Sequence, residues 1–141
     1  MKTLREYIEQ AIRESAKIPM DNVYIETMPP SDWNGIAYLV VRFGQTSEID
    51  AITRDGGQTT PVQIYSVSND QWESEQLCRQ VAGFVESKIN EWSQDADCPL
   101  VGMVPNPAMT YDDKDSSVDT GNTIAQKITE MNFNVIHHIT S

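Results

Sequence analysis

One stretch concentrates oxygen ligands: YDDKDSSVDTG, Tyr111 to Gly121, sets Asp112, Asp113, Asp115 and Asp119 beside a single lysine. Carboxylates at this density could hold a divalent cation or act as a general acid and base. An EF-hand-type calcium loop needs oxygen ligands at positions 1, 3 and 5, glycine at 6 and glutamate at 12. Counted from Asp113, Val118 falls at 6 and Ile124 at 12; counted from Asp115, Thr120 and Gln126 fall there. Both registers fail at the two demanding positions. A catalytic carboxylate pair needs a rigid cleft that pushes its two pKa values apart, and a run of Asp, Ser and Gly offers no such support. The stretch therefore reads as a mobile, solvated acidic loop with a net charge of -3. A metal-dependent enzyme using Asp112, Asp113, Asp115 and Asp119 is the competing reading, to be separated by titration with calcium, magnesium and manganese.

Other reactive types are sparse. His137 and His138 adjoin on an expected strand, where neighbours point to opposite faces and cannot easily share one ion. One half-buried and one exposed imidazole are expected. Cys78 and Cys98 lack CxxC spacing and a second ligand pair, so both read as reduced thiols, Cys78 on a helix and Cys98 in a loop. There is no G-x-S-x-G elbow, no phosphate-cradling glycine loop and no H-E-x-x-H. Trp72 and Trp92 bracket an expected helix and read as packing residues rather than a ligand cage. With no catalytic constellation in view, the expectation is a protein that is not an enzyme, uses no cofactor or metal, and acts through its surfaces.

The chain has 141 residues, 39% of them apolar, which suits a single domain with a sizeable core. Its formal net charge is -11. Such a surface repels phosphate, which argues against a grip on the nucleic-acid backbone but suits a protein that DNA must pass without sticking. No basic segment followed by an apolar run appears, nor a stretch of about 18 apolar residues. A soluble, cytosolic origin is expected.

The positioning elements follow from local pattern. Thr3 and Glu6 form a T-x-x-E capping box, and Leu4, Ile8, Ala11, Ile12 and Ser15 recur at helical spacing before Ile18-Pro19. VYIETM (23–28) alternates like a strand, and IAYLVVRFG (36–44) is apolar on both faces except at Arg42, as a central strand would be. Residues 45–60 are polar and glycine-bearing and read as a long hairpin arm or loop. PVQIYSVS (61–68) is a further strand, and SND then supplies caps for a helix from about Gln71 to Trp92. Its apolar stripe is expected to include Trp72, Leu77, Cys78, Val81, Ala82, Phe84, Val85, Ile89 and Trp92. Short strands flank Pro105-Asn106-Pro107. In the final KITEMNFNVIHHIT, Met131, Phe133, Val135, His137 and Ile139 share one face. The order predicts an α+β, two-layer domain: a mainly antiparallel sheet with two helices packed on one face.

This order, with PVQIYSVSNDQWESEQLCRQVAGFV, the TG before the last strand and the chain length, resembles the tail terminator, or tail completion, proteins of long-tailed bacteriophages. The resemblance covers nearly the whole chain. It implies a homohexameric ring that caps the tail tube, ends its polymerisation and presents a surface to the head-tail connector. It would place the protein at the head-proximal end of the virion tail, after assembly in the host cytoplasm. Another neck or tail-tube ring protein is the nearest alternative. On this resemblance, Ile49, Ala51 and Ile52 of the arm are the expected contacts to the tube or a neighbour. Asp112, Asp113, Asp115 and Asp119 would then lie on the rim or near the DNA channel.

Overall fold

A computed structural model of the chain describes residues 2–29, 35–48, 57–105, 112–116 and 126–139. Helix α1 (Leu4–Ser15) opens with the expected reciprocal box, Thr3 accepting from the Glu6 N–H and the Glu6 carboxylate accepting from Thr3. It closes at Ala16, whose left-handed φ of 53° turns the chain and lets its N–H reach the Arg13 carbonyl. A short 3-10 turn (Met20–Asn22) leads into β1 (Val23–Ile25), which is shorter than its alternating pattern predicts. The reason is Glu26, at φ 60°: it leaves the strand direction, and its carboxylate accepts the Phe43 N–H at 2.8 Å where β1 can no longer pair.

The sheet is built on its two longest strands, β4 (Gln58–Ser68) and β7 (Gln126–His137), which pair antiparallel along the whole of β4. On the other side of β4 lie β2 (Tyr38–Phe43) and the two-residue β3 (Ser47–Glu48), which continues β2's line after a short break. Pro61, which has no N–H to give, sits opposite that break, and its carbonyl takes the Gly44 N–H at 2.7 Å. A Cβ on Gly44 would lie 3.0 Å from the Pro61 Cβ, so any larger residue there would have to push Pro61 aside by a few tenths of an ångström. Strand β1 joins β2 in parallel across a connection of about a dozen residues, enough for the crossover a parallel pair needs. The sheet is therefore mixed, with one parallel pair in an otherwise antiparallel ladder, ordered β1-β2-β4-β7-β5.

Helix α2 (Gln71–Trp92) starts at the N-cap Asp70, whose carboxylate accepts the Glu73 N–H at 2.9 Å. Both helices join a single core on one sheet face, with Ile8 and Ile12 of α1, Val81, Val85 and Ile89 of α2, and Val62, Ile64, Phe133 and Val135 of the sheet buried together. Burying each such aliphatic side chain contributes about 1.5–3 kcal/mol. Ser66, Ser74 and Thr129 tie α2 to β4 and β7 inside this core: the Ser74 hydroxyl lies 3.1 Å from the Ser66 carbonyl and 3.0 Å from Thr129 Oγ1. The domain is α+β and two-layered, with the helices on one face, as the element order predicts. No helix among the described residues is long and apolar enough to cross a membrane.

Two local expectations are corrected. Trp72 does not belong to the apolar stripe of α2; it is 68% exposed. Two residues before the buried Ser74, it stands about 200° round the helix from the core-facing side. The acidic stretch is also not simply a loop. Asp112–Ser116 is a strand, β6, paired antiparallel with β7 from Asp112↔Glu130 to Ser116↔Gln126.

Candidate functional site

β6 continues the line of β5 (Leu100–Pro105) along the same side of β7, the β5 partners running from His137 to Phe133 and the β6 partners from Glu130 to Gln126. Among the described residues neither β5 nor β6 has a strand beyond it. An edge carrying Asp112, Asp113, Lys114 and Asp115 resists pairing with another sheet, because charge opposes the approach of a second strand. The extended ladder backbone is also not the wrapped loop that a calcium site of the EF-hand type demands. Asp119 lies outside the described residues, as do Ile49, Ala51 and Ile52 of the arm. At the base of that arm, Ser47 and Glu48 pair with Thr59 and Gln58.

The two histidines separate as expected, His137 buried and His138 exposed. His137 Nδ1 accepts the Ile139 N–H at 3.1 Å, so in the neutral ring the proton sits on Nε2. Nε2 donates to Thr60 Oγ1 at 2.8 Å, and the Thr60 and Thr46 hydroxyls share a hydrogen bond of 2.7 Å. Burial, with a smaller contribution from His138, lowers the His137 pKa below 6.5 and keeps the ring neutral. Because its acceptor nitrogen is taken by the backbone, His137 cannot remove a proton from Thr60. The trio is a hydrogen-bonded chain rather than a nucleophile with its base.

This chain ends in a cavity of about 470 Å³ between the first turn of α1, the β2–β3 break and the end of β7. Its apolar lining includes Leu4, Phe43 and Ile139, and Lys2 and Arg5 also border it. Lys2 is engaged elsewhere, bonded to Gln10 and set over the Tyr7 ring at 4.8 Å.

The sheet face away from the helices carries Tyr24, Tyr38, Tyr65 and Arg42. Tyr24 and Tyr38 meet edge to face at 5.8 Å, and Arg42 lies over the Tyr65 ring and donates to its hydroxyl at 3.2 Å. Val40, between Tyr24 and Tyr65 in the ladder, and Val67, opposite Tyr38, are fully buried. Arg42, the one charged residue in an apolar strand, was the sequence signal that this face is not ordinary core.

Exposed large apolar side chains fall on opposite edges of the sheet. Met28 (76% exposed) and Ile36 (56%) flank the β1–β2 connection, while Val101 (47%) and Val104 (46%) belong to β5. Trp72 lies with Ile36: together with Ile18, Ala37 and Leu77 they line a second, wider cavity beside the start of α2. Trp92, by contrast, is half-buried between the helices, 5.5 Å from the Tyr7 ring and beneath Lys88, whose ammonium also reaches Glu14 at 3.4 Å.

Cys78 and Cys98 are both free thiols. Cys78 is buried in α2, which pushes its pKa up to about 12. Among the described residues no three His, Cys, Asp or Glu side chains converge as metal ligands. No family model matches the chain, and no curated protein matches its sequence.

Proposed function

We propose that the chain is the subunit of a homohexameric ring that caps the tail tube of a long-tailed bacteriophage, ends tube growth and forms the joint to the head connector. The observation that carries this reading is the placement of two different exposed apolar groups on opposite sides of one sheet, Ile36 and Trp72 beside the start of α2 and Val101 and Val104 on the edge strand β5. A subunit with two unlike, oppositely placed patches associates head to tail, and such contacts close into a ring when the rotation fits. A twofold dimer would instead reuse one patch on both copies.

Two further features support it. The charged β6 lies in line with the apolar β5, so part of this edge favours contact and part resists strand addition, which suits a ring that must not go on polymerising. The net charge of -11 per copy, repeated around a ring, would repel a DNA duplex and let it slide. Ser47 and Glu48, paired with Thr59 and Gln58, flank the 49–56 segment in the chain, whose Ile49, Ala51 and Ile52 are the proposed contacts to the tube.

Sedimentation and negative-stain microscopy of the purified protein, alone and with tail tubes, test the reading. Six-fold rings, free or at tube ends, are expected. A chain that stays monomeric in both conditions would overturn the proposal, and open-ended tubes from the protein alone would make it a tube subunit instead.

A further inference from the structure

We infer that His137 is an acid-operated latch: when its ring takes up a second proton, the residues that follow β7 let go of the sheet and open the cavity beside the first turn of α1. The geometry at one ring nitrogen carries this. His137 is 2% exposed. Its Nδ1 accepts the Ile139 N–H at 3.1 Å, a bond whose direction is fixed because a backbone N–H can only donate. The second proton can go only to Nδ1. The imidazolium then sets one N–H against another, and the bond to Ile139 is lost. The bond on the other side survives, since Nε2 donates to Thr60 in either charge state. Protonation therefore acts on the residues after β7 and spares the base of the arm.

The surroundings of the ring do not favour the cation. The α1 turn brings Lys2, Arg5 and the positive end of the helix, and β7 itself brings His138. The β2–β3 break and β4 border the cavity with uncharged residues, and the β5 partner of His137 is Leu100. Glu6 is folded back onto Thr3 by its capping bonds. Glu48, two strands across in the same row through Gln58, is exposed and about 10 Å away at the usual strand spacing. Asp95 and Asp97, ahead of β5, are exposed as well. Burial, and then His138, lower the His137 pKa while the latch is closed, so the closed form refuses a proton that the open form accepts.

Local opening relieves the conflict with the least disruption. Past His137 the described chain is held by the Ile139 bond, by the His138 N–H on the Pro99 carbonyl at 2.7 Å, and by the buried Ile139 side chain. The strand pairs of β7 can stay in place. Ile139 borders the cavity with Leu4 and Phe43, so its departure exposes their apolar surfaces. The inference stands apart from the ring reading, since a monomer would keep the latch.

Amide hydrogen exchange followed by NMR, with each rate corrected for its intrinsic value at the same pH, tests the latch at pH 7.5 and 5.5. The chain has two histidines, so little else titrates in this range. Protection of the His138 and Ile139 amides should fall by up to about tenfold at pH 5.5, one unit below the pKa of a free imidazole. Their exchange should also be insensitive to dilute urea, the mark of an opening that exposes little surface. Val135, paired on both sides by Thr60 and Met103, should instead exchange more slowly and respond to urea. His137→Asn keeps an acceptor for the N–H two residues on but cannot titrate, so the pH response should vanish. His138→Gln alters an exposed residue and keeps the latch, so the response should remain, and it decides the matter if His137→Asn does not fold. Unchanged Ile139 protection at the two pH values, a urea dependence equal to that of Val135, a response kept in His137→Asn, or one lost in His138→Gln overturns the latch.

Discussion

Thr60 on β4 and His137 on β7, separated by 77 positions, share a 2.8 Å hydrogen bond on the helix-facing side of the sheet. The pairing register puts Thr60 opposite Val135 and His137 opposite Gln58, so the contact runs diagonally between neighbouring strands. It joins the base of the arm to the last turn of the ladder.

The burial of His137 makes stability depend on pH. The His137 pKa is lowered from 6.5 in the folded chain, so below that value the unfolded chain takes up a proton that the folded one refuses. Stability is full above pH 6.5 and falls as the pH drops through it. Urea unfolding at pH 7.5, 6.5 and 5.5 should show this loss in the wild type and a smaller one in His137→Gln. Equal slopes for the two proteins would dismiss the imidazole as the cause.

Ala16 ends α1 in a left-handed conformation that costs a side-chain-bearing residue about 1 kcal/mol. Ala16→Gly removes that cost while making the unfolded chain more flexible, so a net gain of about 0.5 kcal/mol is expected. Chemical denaturation would show a higher midpoint with an unchanged m-value. A lower midpoint would mean that the Ala16 methyl packs more usefully than its conformation costs.

The two thiols should react at very different rates. Cys98 is partly accessible, whereas Cys78 is buried, its thiol donating to the Ile64 carbonyl and its pKa raised to about 12. A disulfide exchange reagent at pH 8 should modify one thiol per folded chain and two in denaturant, with Cys98→Ser abolishing the native reaction.

The two edge patches can be tested separately if the ring forms. Val104→Asp and Ile36→Asp each place a charge where an apolar contact is proposed, and each should leave folded monomers, since both positions are exposed. Mixing the two variants should permit a single interface per pair and yield dimers by sedimentation. Failure of both variants to alter assembly would remove these edges from the interface.

Local order was legible before any coordinates. The Thr3–Glu6 box, the 71–92 helix with its acidic cap, and the alternation through Met131, Phe133 and Val135 are each written within a few residues, because caps act over one turn and faces repeat every two or 3.6 positions. Pairing is a different matter. That β1 lies parallel to β2, that Asp112–Ser116 is strand rather than loop, and that Thr46, Thr60 and His137 form one hydrogen-bonded chain all depend on contacts between distant segments. Aspartate disfavours strands on its own, and β6 exists because β7 offers it a free ladder edge where charge costs little. Trp72 misled for a related reason: an apolar side chain within a stripe goes inward only if its angle matches the face that the sheet covers. Sequence by itself determined the helices, the long strands and the absence of a familiar catalytic motif. Only the tertiary structure decided which edges stayed open and which polar groups met, since both follow from the register in which the whole sheet buries its core.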